Sequence, residues 1–221
     1  MTTLTVAEHL AETRASGAMT DDGFRAYAGS DVSNYSSWAI WGKTTNDLSV
    51  FDVENKPWER LRSDVFFMGG NTGKLGLEGL GKFQNFHAKG HGGDGSLRNA
   101  LAGGPVEGAY LTDIVKDYPT TDSGPLLKAI AAGDVDILKH VVEPLQEELR
   151  LLNSPEKVTV ILLGASTVEV WDAVSRHLPD DVATRLTVLK GVRHHSASGS
   201  PLETLTAVLA APLNDSVHVT F

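Results

Sequence analysis

Four short runs along the chain, residues 64–68, 109–115, 157–163 and 186–189, are almost continuously apolar and stop abruptly at small or polar residues. Runs of that length without alternation are the pattern of strands buried on both faces, as in a parallel sheet. The segments between them carry helical periodicity. Ile137, Leu138, Val141, Val142, Leu145 and Leu149 form an i, i+4 stripe, with a bend or break expected at Pro144. Ser166-Thr167-Val168-Glu169 has the form of a capping box opening a helix through Val170, Trp171 and Val174. Ser200-Pro201-Leu202-Glu203 is a second, with proline at the first helical position and Leu205, Val208 and Leu209 behind it. Strands alternating with helices predict one α/β domain with a mostly parallel sheet.

The flanks are less regular. Residues 5–14 suit a short amphipathic helix through Val6 and Leu10, and the first 60 residues otherwise read as a helical and irregular extension to a core spanning 64–209. The aromatic stretch 34–41 has no clear period and is expected to pack across the sheet edge, with a substrate-facing wall as the alternative. Residues 217–221 alternate as a short edge strand would. The glycine-rich segment 69–108 cannot be regular throughout, and long insertions of that kind usually serve function.

At 221 residues the chain is long enough for one well-buried core. It has no cysteine, which excludes disulfides, thiolate zinc sites and cysteine-bound iron–sulfur clusters. No apolar run approaches membrane-spanning length and the N-terminus lacks a signal core, so a cytoplasmic protein with no membrane partner is expected. The net charge of −9 argues against general coating of nucleic acid. The charge is uneven, however. Residues 113–156 are strongly acidic, whereas 81–98 carry Lys82, Lys89 and Arg98 with His87 and His91 against Asp94 alone. Arg193, His194 and His195 form a second cationic or titratable spot.

Two strand-to-loop junctions concentrate the chemistry. One is Val65-Phe66-Phe67-Met68-Gly69-Gly70-Asn71-Thr72-Gly73; the other runs from Leu186 through Arg193-His194-His195-Ser196. In a parallel sheet both lie on the carboxyl edge, where such folds place ligands. Gly69 to Lys74 invites a phosphate-loop reading that fails on spacing, since the P-loop needs four residues between its glycines and a Lys-Ser/Thr ending. His87, His91, Asp94, His194 and His195 offer donors for a metal, but no H-E-x-x-H spacing is present, and no metal or other cofactor is expected. Cleavage of an N-glycosidic bond fits better. It needs an oriented water, a hydrogen bond to the departing base and an aromatic face, and neither thiol, metal nor cofactor.

These residues resemble the uracil-DNA glycosylase superfamily, nearest its single-strand-selective and mismatch-specific branches. Gly69-Gly70-Asn71-Thr72-Gly73 is similar to the family's first motif, Gly-x-Asn-Pro-Gly/Ser, with Thr72 in place of proline. The second motif, His-Pro-Ser before a helix, is matched by His194-His195-Ser196, with His195 where proline is usual. Gly108-Ala109-Tyr110-Leu111-Thr112-Asp113-Ile114-Val115-Lys116 looks like the family's Val-Tyr-Ile-Thr-Asn-x-Val-Lys strand, with Asp113 in place of the base-reading asparagine.

The resemblance implies a three-layer α/β/α sandwich around a central four-stranded parallel sheet. It implies a monofunctional hydrolase that acts on a flipped base in single- or double-stranded DNA as a monomer. Asn71 would orient the water, and His194, or His195 of the doublet, would stabilise the leaving base. Gly70, Thr72 and Ser196 would line the substrate site. Phe86 first, then Phe83, would stack on the base, with Gln84, Asn85 and His87 as further lining candidates. Arg193, Ser198 and Lys82 would meet the DNA backbone. The base would be deaminated or modified, uracil or, given Asp113, an amino-bearing base such as a cytosine derivative, because an ionised carboxylate only accepts hydrogen bonds and suits an exocyclic amine better than the O4 of uracil; the alternative is that Asp113 points elsewhere or is protonated by burial. A glycosylase-like fold that binds nucleic acid or protein without cleaving it, and a hydrolase of free nucleosides or nucleotides, are the alternatives.

Overall fold

The computed structural model describes residues 4–72, 81–88, 92–118, 120, 123–213 and 217–218. Strands β2 (Arg62–Asn71), β3 (Ala109–Val115) and β4 (Val158–Leu163) are buried throughout, apart from the last two residues of β2. The continuous apolar runs follow from that placement, since both faces of the sheet are covered. Val65, Phe67, Leu111, Ile161 and Leu163 pack with α1 (Val6–Thr13), α3 (Gly92–Leu101) and α8 (Pro201–Ala210) on one face. Phe66, Met68, Tyr110, Val160 and Leu162 pack with α2 (Asp21–Gly29), α5 (Glu143–Leu151) and α6 (Ala165–Val174) on the other. Helices α4 (Ser123–Ala132) and α7 (Asp180–Ala183) add Leu126 and Val182 to that second core.

The sheet order is β1-β3-β2-β4-β5-β6, where β1 is Ser37–Trp38, β5 is Leu186–Val192 and β6 is Val217–His218. The four expected strands are present, adjacent and parallel. The expected four-stranded parallel sheet is nonetheless corrected to a mixed sheet of six. Strand β1 joins β3 antiparallel, and β6 extends the other edge beside β5. Strand β1 is two residues long, too short to leave a periodic signal, whereas β6 lies where the alternation of 217–221 predicted an edge strand. The aromatic stretch around β1 packs as a sheet edge: Trp38 is fully buried, edge-on to Tyr27 at 5.4 Å and Tyr110 at 5.0 Å. Of residues 217–221, 219–221 lie outside the described residues.

Three local departures position the site. First, β5 runs to Val192 rather than stopping at Leu189. Its register against β4 shifts between Ile161 and Leu163, with Gly191 at φ +105°, a bulge that re-aims the chain into Arg193 and His194. Second, α6 opens at Ala165 with Gly164 as its N-cap, and no side chain caps it. The capping box read at Ser166–Glu169 therefore does not form, and the Thr167 hydroxyl donates to the Leu163 carbonyl at 2.7 Å instead. Third, Pro144 breaks the helical stripe as expected, but the irregularity is a π-helical turn, Leu138–Val142, just before α5. Proline has no N–H to offer the carbonyl four residues back. That carbonyl, on His140, accepts the Lys116 N–H at 2.8 Å and ties the end of β3 to the π turn.

The N-terminal segment is built into the body. Thr5 and Glu8 form a reciprocal capping box on α1, and the Val6 N–H donates to the Ala211 carbonyl beyond α8. Among the described residues, no helix is long and apolar enough to cross a membrane.

Candidate functional site

Because β2, β3, β4 and β5 are parallel, their C-terminal ends deliver Asn71, Asp113, Gly164 and the 193–196 loop to one edge of the sheet. Asn71 sits opposite Val115 at the tip of β2. Its amide nitrogen donates to the Tyr118 carbonyl at 3.2 Å and to the carbonyl and hydroxyl oxygens of Thr120 at 3.3 and 3.0 Å. Those acceptors fix which way the amide faces and leave Oδ1 without a partner among the described residues, aimed away from the loop after β3. That loop is held from behind as well, where the His140 ring nitrogen bonds the Lys116 carbonyl at 2.8 Å.

Asp113 pairs with Gly69 across β2 and β3, and both face the α3/α8 side. A β-carbon on Gly69 would lie 2.3 Å from Asp113 Oδ1 and 3.4 Å from the ring tip of Phe86, so the missing side chain makes room for both groups. Oδ2 of Asp113 accepts from the Asn85 amide at 2.8 Å, and the same amide nitrogen donates to the Tyr35 carbonyl at 2.8 Å. Burial pushes the Asp113 carboxyl up to about 6, opposed by the Asn85 bond and by Lys116. Behind the strand, on the other face, Lys116 is ion-paired to the buried Glu148 at 3.2 Å. The turn that supplies Asn85 holds two bulky residues at positive φ, Phe83 and Phe86, both at +62°. Strain of that kind persists only where surroundings enforce it. The enforcing residue is His87, buried and bonded to Ser37 Oγ at 3.1 Å and the Ile40 carbonyl at 2.9 Å, with its ring stacked on Trp41.

The histidine doublet closes the other side. His194 rests on Gly164, where a β-carbon would come within 2.6 Å of His194 Cβ; Gly164 itself has φ +94°. Nδ1 of His194 receives the Ser196 backbone N–H at 3.2 Å, with the Ser196 hydroxyl at 2.7 Å. An Nδ1 that accepts an N–H is unprotonated, so the ring proton is on Nε2. Burial lowers the His194 pKa, which keeps that neutral donor form. His195 stacks on His194 at 4.3 Å and packs against Phe86 at 5.6 Å. Its Nε2 lies 3.6 Å from Asp94 Oδ1, too long for a hydrogen bond, and its Nδ1 is buried without a partner. Burial first, and then His194, pull its pKa down to about 3, so His195 is a neutral packing ring.

A continuous series of contacts thus runs from Asp113 over Gly69 to Phe86, His195 and His194. The other sequence candidates divide. Ser196 belongs to the site through His194. Thr72 follows Asn71 with its hydroxyl buried and unpartnered. Gly70 faces Thr167 and Val170 on the opposite side of the sheet, so Gly69 is the glycine that makes room for Asp113 and Phe86. Phe83 is a core ring, stacked on Phe51 at 4.5 Å and on Phe24 at 6.0 Å. The Lys82 ammonium bonds the Ala28 carbonyl at the end of α2, apart from the cluster. Arg193 donates to the Ser198 carbonyl at 2.8 Å, which keeps both at the mouth of the same loop. Gly73, Lys74 and His91 lie outside the described residues. Among the described residues, no group of three or more His, Cys, Asp or Glu is placed to hold a metal ion.

Asn85, Gly69 and Gly164 are the site residues that motif reading passed over or left secondary. Period-two alternation along β2 put Gly69 on the face of Phe67, and that was the available signal. Comparison of the chain with protein-family models, curated proteins and solved structures finds no match.

Proposed function

We propose that the chain is a monofunctional glycosylase that hydrolyses the N-glycosidic bond of a base flipped into the cleft between Asn71, Phe86, Asp113 and His194, within a uracil-DNA-glycosylase-like α/β/α sandwich. The observation that carries this reading is the pairing of two fixed polar groups at one sheet edge. Asn71 has its N–H groups spent and its Oδ1 without a partner among the described residues, and His194 is held neutral with its proton on Nε2. An amide is too weak a base to remove a proton, so Asn71 holds a water by accepting its hydrogen bond and aims the oxygen at C1′. As the C1′–N bond breaks, its electron pair leaves with the base and charge gathers on the base's O2. The His194 Nε2–H donates to that oxygen. The water oxygen bonds to C1′, one of its protons passes to solvent, and the base anion takes a proton from solvent. Phe86 supplies the aromatic wall. Ser196, Ser198 and Arg193 stand where backbone phosphates would pass.

One observation favours a second reading, a hydrolase of free nucleosides or nucleotides. Of the two cations expected to meet DNA, Lys82 is turned to Ala28 and only Arg193 stays with the loop, on a chain of net charge −9. The test is abasic-site formation in oligonucleotides carrying uracil, cytosine, modified cytosines or hypoxanthine, run beside base release from the free nucleosides. Abasic product that disappears in Asn71→Ala and His194→Ala is expected. Base release from nucleosides alone transfers the chemistry to the second reading, and no release from either substrate removes the catalytic reading.

A further inference from the structure

Among the described residues, the floor of the proposed base site, around Asp113, offers hydrogen-bond acceptors without a spare donor. Asp113 Oδ2 is occupied by Asn85, while Oδ1 stands over Gly69 beside the tip of Phe86, with no hydrogen-bond partner among the described residues. The nearest amide has no donor to spare, since Asn85 Nδ2 directs its two hydrogens to the Tyr35 carbonyl and to Asp113 itself. Lys116 is turned to the other face of the sheet, bonded to the Asp113 main-chain carbonyl and to Glu148, with its ammonium 5.7 Å from the Tyr35 ring. The Asn71 amide is committed to residues 118 and 120. His195 lies at the far side of Phe86, packed on that ring at 5.6 Å, with its Nε2 3.6 Å from Asp94.

We infer that the base read at this floor is a pyrimidine of the cytosine class, whose exocyclic amine donates to Asp113 Oδ1. This deepens the glycosidic reading and rests on it. Cytosine places an N4–H₂ donor where uracil places the O4 acceptor. Against a carboxylate, the uracil oxygen meets lone pairs with no proton between them, in a buried site where an unpaired polar contact is expensive. The glycine opposite is part of the same arrangement, because any side chain at position 69 would displace Oδ1 from the cleft. Burial is the largest influence on the charge of Asp113, and the groups that act with or against it are Asn85 from the 81–88 turn, Lys116 at the end of β3, Glu148 on α5 and Asp94 on α3. The first two favour the carboxylate and the two acids oppose it. Protonation of Asp113 reverses the selection, since a carboxylic acid can donate to O4.

Binding separates this inference from the catalytic one. Single-stranded oligonucleotides carrying one 2′-fluoroarabino-cytidine or one 2′-fluoroarabino-uridine resist cleavage, and fluorescence anisotropy reads their affinity. At about pH 7.5 the wild type is expected to hold the cytosine strand about tenfold more tightly, the discrimination of one well-made base contact, and Asp113→Asn to remove or invert the ratio. Equal binding, a uracil preference or no binding by the wild type overturns the inference. Should Asp113→Asn not fold, the wild type decides alone: between about pH 7.5 and pH 5 the ratio should move about tenfold toward uracil, and an unchanged ratio overturns the inference. The cleavable strands run in parallel. A cytosine preference in binding with no cleavage sinks hydrolysis and leaves the base assignment, whereas uracil cleavage with indifferent binding does the reverse.

Discussion

Ser196 turns both its backbone N–H and its hydroxyl onto Nδ1 of His194, at 3.2 and 2.7 Å. The pair decides the tautomer, and with it which histidine of the doublet can donate to a departing base. His194→Ala is expected to slow single-turnover cleavage by about 10²–10³-fold, the usual cost of losing one preorganised donor. Ser196→Ala keeps the backbone N–H and should cost less than about tenfold. His195→Ala should lower stability more than rate, since its ring is packed between Gly93, Phe86 and His194. A rate that survives His194→Ala and collapses in His195→Ala would assign the doublet the other way round.

The four central strands were legible because burial on both faces writes an unbroken apolar run. The two-residue β1 wrote nothing, whereas β6 showed as alternation at 217–221. Asn71, Asp113 and the histidines were legible as strand-end residues, since parallel strands must bring such ends to one edge. Where each side chain goes from there depends on the neighbouring strand, and no local pattern carries that. Phe83 and Phe86 lie three residues apart with the same positive φ, yet one joins the aromatic core around Phe24 and Phe51 and the other is buried in the opposite core, against His195. Gly164 read as a loop residue, and its necessity is apparent only once His194 is seen resting on it. The capping box failed for the same reason: the helix starts early, on the glycine that His194 requires.

The Asn71 amide nitrogen faces three oxygens, on Tyr118 and Thr120. Asn71→Asp would put a carboxylate oxygen there, against two carbonyls that cannot donate. The variant is therefore expected to gain no general base, to lose activity about as fully as Asn71→Ala, and to be less stable than Asn71→Ala by about 1–3 kcal/mol in urea titration. Activity in Asn71→Asp at or above the wild-type level would show that the amide is not tied to that loop.

A buried ion pair holds the opposite edge of the sheet. Arg62 and Asp64, each 1% exposed, are joined at 2.8 and 2.6 Å. Arg62 also donates to the Leu10 and Pro105 carbonyls, while Asp64 accepts from Thr13. Asp64→Ala leaves the guanidinium buried without its counter-ion and should cost about 3–5 kcal/mol, whereas the double change Arg62→Met with Asp64→Leu should recover much of it. Neither should alter the cleavage rate per folded molecule. Chemical denaturation of both variants reads the difference, and a double variant no more stable than Asp64→Ala would mean that the charges, rather than their mutual cancellation, hold this edge together.

Two groups in the site pull the pH dependence of stability in opposite directions. His195 has its pKa lowered from 6.5 to about 3 by burial and by His194. Between those values the unfolded chain binds the proton and the folded chain does not, so stability falls as pH drops below about 6.5. His87 and His194 are lowered in the same sense, mainly by burial. Asp113 is raised from 3.8 to about 6, so from about pH 6 down to 3.8 the folded state holds the extra proton and stability is gained. The wild type should therefore lose stability on acidification more gently than its histidines alone dictate. Asp113→Asn removes the opposing group. It should be more stable than wild type near neutral pH, where burial of the charge no longer costs anything, and its loss between about pH 6 and pH 4 should steepen by up to about 1.4 kcal/mol per pH unit, the linkage slope of one proton. His195→Gln should flatten the same interval. Urea midpoints across about pH 7 to pH 4 read all three proteins, and parallel curves for wild type and Asp113→Asn would mean that Asp113 titrates as an ordinary surface carboxylate.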